Sequence, residues 1–213
     1  MARDFQQSNS DHLTATSAIV SDTPLSLSIW FNPDDITSFY GLFSISDDSA
    51  SNYLTCYSAG SVGGDPFYVE HKGGGGSNAT ALSSDSIVAS TWQQGAYVAT
   101  SNADRSSFLN GAGKVNSTTS TGTESWDETN VGHVLTAAGF FLNGSVGAIS
   151  LWDSALTDAQ IASLAAGRDP RRMATLPKLH MPMSGGIQDV VGRFAFSDVN
   201  GTNEIGHKPM GWN

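Results

Sequence analysis

The clearest pattern in the chain is the alternation in PLSLSIWFNP, residues 24–33. Leu25, Leu27, Ile29 and Phe31 fall on one face of an extended strand; Ser26, Ser28 and Trp30 fall on the other. A period of two with one apolar set predicts a strand with one buried face, bounded by proline at both ends. Shorter strands are predicted at YGLFSIS (40–46), NYLTCYS (52–58) and PFYVEHK (66–72). The GGGG run that follows has no side chains to pack and reads as a loop tip. No Lys-Ser/Thr pair follows it, so it is not a phosphate loop. Gly95–Ser101 and Ser106–Leu109 should pair through the turn NADR. Asn110-Gly111 is a hairpin turn signal, because both residues tolerate positive φ. GTESWDETNVG reads as a polar loop with an exposed Trp126. Strands are then expected at Val131–Leu135 and Phe140–Leu142, the latter ending in Asn143-Gly144. The tetrapeptide FLNG thus occurs twice, at 108–111 and again at 141–144, and both copies read as a strand running into a hairpin turn.

One helix is signed. Thr157 as N-cap and Gln160 three residues on form a capping box, Leu156 and Ile161 occupy the staple positions, and Gly167 supplies a left-handed C-terminal cap. Ile161 and Leu164 give an apolar edge, and Ala159, Ala162, Ala165 and Ala166 permit close approach to a sheet. Beyond Arg172, LPKLHMPM and VVGRFAFSDV are two further strand candidates around SGGIQD. They either close the sheet or form an arm against a neighbouring subunit. The last residues, NGTNEIGHKPMGWN, look irregular.

The 213 residues suit one all-β domain, and five Trp with 39% apolar residues favour a folded chain over a disordered one despite 23 Gly and only 14% charge. Ten Lys and Arg against 20 Asp and Glu leave a net charge of −10. The only basic cluster is Arg168, Arg171 and Arg172, so nucleic-acid binding is not expected. The N-terminus lacks an apolar signal region and no run approaches a membrane span, so neither export by a leader nor membrane insertion is expected. Cys56 has no partner for a disulfide and reads as buried and structural. The sequons at Asn78, Asn116, Asn143 and Asn200 read as by-products of Ser/Thr/Asn richness.

These residues resemble a family. PLSLSIWFNPDD, TWQQGAYVAT with SSFLNG, and the closing FFLNGSVGAISLWDSALTDAQIASLAAG are similar to laminin-G-like, concanavalin-A-like lectin jelly-roll domains over about Asp4–Gly167. The tail GRDPRRMATLPKLHMPMSGGIQDVVGRF looks like that of stand-alone versions in bacteriophage and prophage genomes. The resemblance implies an all-β fold, a two-sheet antiparallel jelly-roll sandwich with one short helix near residues 157–166. It divides the chain into a jelly-roll domain (1–175) and C-terminal strands with a tail (176–213). Many relatives carry a carboxylate, near a calcium site, in the strand after the second hairpin. Here that strand reads Val146-Gly147-Ala148-Ile149. No cofactor is therefore expected, with calcium the weaker alternative, and Asp104, Asp127 and Asp153 read first as turn-forming loop acids.

Glucanases share the sandwich and need paired carboxylates. Among only four Glu, Glu124 and Glu128 would share a strand face, but lie about 13 Å apart, beyond the roughly 5–9.5 Å of either hydrolytic geometry. His12, His71, His133, His180 and His207 are scattered, and no catalytic motif includes them. No catalytic residue or metal ligand is assigned. Candidates for glycan or partner contact are Trp126, Asp127 and Asn130, with Tyr57 and Tyr68: aromatic faces beside hydrogen-bonding groups. The competing reading of Trp126 packs it in the core or against a neighbouring subunit. The leading functional expectation is a non-enzymatic structural protein of the virion surface, a capsid decoration or fibre-associated protein. It would be made in the host cytoplasm, be homo-oligomeric and be in contact with capsid or other virion proteins. The alternative is a carbohydrate-binding module attaching to cell-surface glycans; a glycoside hydrolase is the weakest of the three.

Overall fold

The computed structural model describes residues 2–47, 51–134, 140–183, 187–191 and 194–205. Leu135, part of the SGGIQD turn, residues 192–193 of the second tail strand and the stretch from 206 on, with His207, lie outside the described residues. In chain order the strands are β1 (Ala2–Phe5), β2 (His12–Ala15), β3 (Leu25–Pro33), β4 (Phe39–Ser46), β5 (Tyr53–Ala59), β6 (Pro66–Lys72), β7 (Gly74–Gly75), β8 (Ala79–Ser86), β9 (Gln93–Ser101), β10 (Asp104–Leu109), β11 (Ala112–Ser117), β12 (Gly122–Thr123), β13 (Glu128–Val131), β14 (His133–Val134), β15 (Phe140–Phe141), β16 (Gly144–Trp152), β17 (Leu179–Met181), β18 (Ser197–Val199) and β19 (Asn203–Ile205). One α-helix, α1 (Asp158–Ala165), lies between β16 and β17.

Two antiparallel sheets face each other. The larger runs β11-β10-β9-β3-β16-β1-β19, with β17 continuing the edge beside the second half of β16; the other runs β18-β2-β13-β4-β5-β6-β8. The apolar set of β3 lines the space between them. Leu27 is opposite Leu151 and Tyr97, and Ile29 is opposite Ile149 and Gly95. The facing sheet contributes Leu13, Phe43, Ile45, Leu54, Cys56, Phe67, Val69 and Val131 to the same core. Removing each large side chain from water contributes about 1.5–3 kcal/mol.

The other face of β3 departs from the expectation of a strand buried on one side. Ser26 and Ser28 do point away from the core, yet both are buried. Ser26 Oγ donates to the Ser154 carbonyl and accepts the Leu156 amide, and Ser28 Oγ accepts from Gln94 Nε2 at 2.8 Å. The cover is α1 and the chain around it. Ile161, Leu164, Leu156 and Met173 pack on Ala96, Val98, Phe108 and Trp152 of the larger sheet. The helix has the expected capping box, and Leu156 and Ile161 share one apolar cluster. At its C-terminus Gly167, at φ 89°, donates to Leu164 and Arg168 donates to Ser163, the paired pattern of a Schellman ending.

Three local readings are corrected. The first FLNG is a hairpin turn, with Asn110 at φ 53° and Gly111 at φ 74°, and β10 pairs with β11 across it. The second is not. Phe140–Phe141 pairs with β14, Leu142 donates to Gly132, and Asn143 accepts from Asp34, so the chain crosses directly into β16. The glycine run is not a free loop tip: β7 pairs with β12, Gly122 opposite Gly75 and Thr123 opposite Gly74. The polar loop around Trp126 is shorter than expected, because Glu128–Val131 is a strand between β2 and β4. In the tail, Leu179–Met181 pairs with β16, and Leu179, Met181 and Met183 are fully buried.

Thr157→Ala removes the side-chain acceptor for the Gln160 amide. It is expected to lower stability by about 0.5–2 kcal/mol, read as a lower midpoint in thermal or urea unfolding. An unchanged midpoint would refute this assignment of the cap.

Candidate functional site

The seven-stranded sheet turns its core set inward and leaves a patterned outer face. Leu13, Val131, Ile45, Leu54 and Val69 point into the core, so their neighbours along each strand point out. Cross-strand register then places Thr14, Asn130, Ser44, Thr55, Glu70 and Thr80 side by side across β2, β13, β4, β5, β6 and β8. On one side of this polar row stand Tyr57 and Tyr68, opposite each other. On the other stand Glu128, Ser46, Tyr53 and Lys72, again in register.

The aromatic flank is a packed group. Tyr57 and Tyr68 each lie 5.5 Å from the Phe39 ring centroid, edge to face, and Tyr57 is 5.7 Å from Phe140. Tyr57 is buried while Tyr68 is half-buried. Tyr68 hydroxyl donates to Glu70 Oε1 at 3.2 Å, and Asn78 Nδ2 donates to the same oxygen at 3.1 Å. Burial, and then the Glu70 charge, push the Tyr68 phenol up to about 12; the same two causes raise Tyr53. Asn130 Nδ2 donates to Glu128 Oε1 at 2.6 Å. Asn130 Oδ1 and Ser46 Oγ have no hydrogen-bond partner among the described residues. Ser44, Ser46, Thr55 and Asn130 are fully buried, so the groups of this face within reach of a polyhydroxylated ligand are the partly exposed Thr14, Tyr68, Glu70, Lys72, Thr80 and Glu128.

Strands β14 and β15 lie over part of this face. Ser44 Oγ donates to the His133 carbonyl at 3.1 Å, and a Cβ on Gly41 would sit 2.2 Å from the Phe140 carbonyl oxygen. Only glycine lets that backbone approach so closely. His133 and Phe141, a cross-strand pair, stack at 4.2 Å, and His12 on β2 sits 4.9 Å from His133.

Of the residues singled out in the sequence, Tyr57, Tyr68 and Asn130 share this outer face. Trp126 does not. It is 7% exposed within the core cluster, its ring 5.4 Å from His71. The Asp127 amide bonds to the Ser46 carbonyl, which starts β13 at Glu128 and leaves Trp126 inside. Asp127 itself is exposed at the end of the sheet. Glu124 and Glu128 do not share a face either: the Glu124 side chain is fully buried 2.9 Å from His71 Nε2. His71 Nδ1 lies 2.8 Å from the Tyr97 hydroxyl of the opposite sheet, and Thr121 Oγ1 donates to Glu124 at 3.2 Å. Burial holds His71 below the ordinary imidazole value. A neutral ring that accepts from Tyr97 and donates to Glu124 satisfies the chain. This buried polar bridge between sheets was not expected, although alternation in PFYVEHK already set His71 with Phe67 and Val69 and opposite Tyr68 and Glu70.

The loop acids lie apart. Asp104 accepts from Thr100 and Asp153 pairs with Lys178 at 2.8 Å. Among the described residues no group of three or more His, Cys, Asp or Glu is arranged to hold a metal ion. No described helix is long and apolar enough to cross a membrane.

A two-sheet antiparallel jelly roll with a polar and aromatic strip on one outer face is a lectin-type sandwich. Residues 7–162 match the Laminin_G_3 family, and the chain belongs to this family of the Concanavalin A-like lectin/glucanases superfamily. A comparison with curated proteins gives no match. Among solved structures, a putative carbohydrate binding protein from Bacteroides ovatus is similar over 95% of this chain and 58% of its own, at TM-score 0.69 and 16% identity. A native heptameric SAP-like pentraxin from Limulus polyphemus is similar over 91% of this chain and 87% of its own, at 0.64 and 14%. The CBM40 of a Ruminococcus gnavus sialidase, bound to α2,3-sialyllactose, is similar over 69% and 84%, at 0.58 and 12%. Identities this low establish the shared fold alone.

The histidine stack gives a pH dependence. Burial, and secondarily the charge of His12, hold His133 down to about 4. The unfolded chain takes up this proton near 6.5, so the stability contribution is complete above about pH 6.5 and is lost as pH falls through about 4. Melting temperature should fall across this window, and His133→Gln should flatten that part of the profile. An unchanged slope in the variant would count against it.

Proposed function

We propose that the protein is a carbohydrate-binding domain whose ligand lies across the strands on the outer face of the seven-stranded sheet. The observation that carries this reading is the row Thr14, Asn130, Ser44, Thr55, Glu70 and Thr80, in register over six strands, whose partly exposed members Glu70 and Thr80 lie side by side next to the half-buried Tyr68 while Asn130, Ser44 and Thr55 are buried within it. A carboxylate and a hydroxyl beside a tyrosine ring offer a sugar both hydrogen-bonding groups and an aromatic surface. The similarity to a putative carbohydrate binding protein and to a sialyllactose-bound module supports the same reading.

Binding without catalysis fits the carboxylates of this face. Glu128 and Glu70 are three strands apart, about 14 Å at ~4.8 Å per strand, too far to act as a hydrolytic pair. The similarity to carbohydrate-binding folds supports this reading ahead of the virion-surface role expected from the sequence.

The test is a glycan array followed by calorimetry on the intact chain. At least one glycan should bind, and Tyr68→Ala should weaken it by roughly tenfold, equivalent to about 1.4 kcal/mol, with the fold intact by circular dichroism. Absence of binding, full affinity in Tyr68→Ala, or steady release of sugar from a polysaccharide would each overturn the reading.

A further inference from the structure

The charge on this face narrows the ligand class. Glu70 stands in the middle of the polar row, half-buried, with Tyr68 and Asn78 both donating to Oε1. Glu128 stands in the adjoining row, its Oε1 held by Asn130. Lys72 is the one cation in these rows; it stands two residues from Glu70 on the same face of β6, a single point charge rather than a donor fork, at the far end from Glu128. No described arginine reaches the face. Arg3 bonds to Asp198 and Thr202, and Arg105 is fully buried with its guanidinium on the Asn102 and Thr119 carbonyls. Arg168, Arg171 and Arg172 follow α1, which packs on the other sheet. Carboxylated and sulfated ligands are held best by the planar, bidentate guanidinium, and no arginine among the described residues stands where the ligand would lie. The field of the whole chain, at net charge −10, has the same sign as Glu70 and Glu128.

We infer that the outer face selects glycans bearing free amino groups and disfavours uronated, sialylated or sulfated ones, with Glu70 as the specificity-determining residue. This rests on the carbohydrate-binding reading above. An ammonium brought along the row gains a charge-assisted hydrogen bond to the Glu70 carboxylate, and an anionic substituent at the same place meets like charge with no compensating donor fork. Each half of the preference comes from the same carboxylate, so one substitution acts on both.

The experiment prints each glycan backbone in three forms, free amine, N-acetylated and uronate, and measures the intact protein at about 50 mM and 500 mM salt. The expected order at low salt is amine, then N-acetyl, then uronate, with steps of roughly two- to fivefold, the range for an exposed charge pair. The steps should shrink at high salt, where the screening length is a few ångströms. Glu70→Gln should compress the order from both ends, lowering amine binding and raising uronate binding; Glu128→Gln should do the same more weakly. Uronate or N-acetyl binding equal to or tighter than amine binding overturns the inference, as does an order that Glu70→Gln leaves intact, and in these cases the carbohydrate-binding reading stands. Failure to bind any printed form overturns that reading, and the inference with it.

Discussion

The structure is organised by the need to cover β16 on both faces. Gly144–Trp152 is buried at every one of its positions, in the middle of the larger sheet between β3 and the β1/β17 edge. Its inward residues Ile149 and Leu151 are covered by the facing sheet. Its outward residues, Ser150 and Trp152, need a second cover. That is supplied by α1 against Trp152 and by β17, whose His180 ring nitrogen sits 2.8 Å from Ser150 Oγ. Polar atoms placed under this cover are paired locally: Ser26 serves Ser154 and Leu156, and Trp152 Nε1 donates to the Thr175 carbonyl at 3.1 Å. Buried polar groups are retained only when satisfied in this way.

The two sheets therefore have opposite fates on their outer sides. The larger sheet spends its outer face on packing, with an apolar patch of Ala96, Val98, Phe108 and Trp152 under a helix. Among the described residues no helix lies on the smaller sheet. Its cover is the short pair β14–β15, seated on aromatic rings at one side of the face, and the rest of the outer face keeps short polar side chains. The asymmetry leaves the larger sheet under apolar packing and the smaller one with buried polar groups at the centre of its outer face and partly exposed Thr14, Tyr68, Glu70, Lys72, Thr80 and Glu128 around them. The two sheets are tied together by the Tyr97–His71–Glu124 chain, which joins β9 of one sheet to β6 of the other and to the segment entering β13. Such a bridge is sensitive to geometry, because removing one member strands buried partners.

Much of the fold was legible because strands announce themselves locally. The alternation of Leu25, Leu27, Ile29 and Phe31 and the capping box at Thr157 need no information from elsewhere in the chain. What failed was whatever depends on distant partners. Asn-Gly is a hairpin at 110–111 because β10 and β11 are neighbours; at 143–144 the strand before it pairs with β14, and the same two residues become a crossing. Trp126 looked exposed because its flanks are polar, yet the pairing of Glu128–Val131 with β2 and β4 turns it inward. Tyr57, Tyr68 and Asn130 were recognisable as aromatic and polar candidates. Their alignment was not, because it requires β13 to enter between β2 and β4 from more than eighty residues further along the chain, and no local signal specifies that insertion. Glu70 was passed over although its direct neighbours Thr55 and Thr80 come from strands close in sequence, because no motif marks a lone carboxylate on an alternating strand.

The glycine run at 73–76 carries a practical lesson for anyone who wishes to label or fuse this protein. By composition it is the obvious place to splice in an epitope or a fluorescent reporter. By structure it is among the worst. Gly73 donates to the Thr121 carbonyl, Ser77 donates to Ser120, and a Cβ on Gly76 would fall 1.6 Å from the Thr121 oxygen. Thr121 in turn holds Glu124, so a graft here would pull on the polar bridge between the sheets. The Ser61–Gly64 turn is the better graft site: its Gly63 and Gly64 have open space around them.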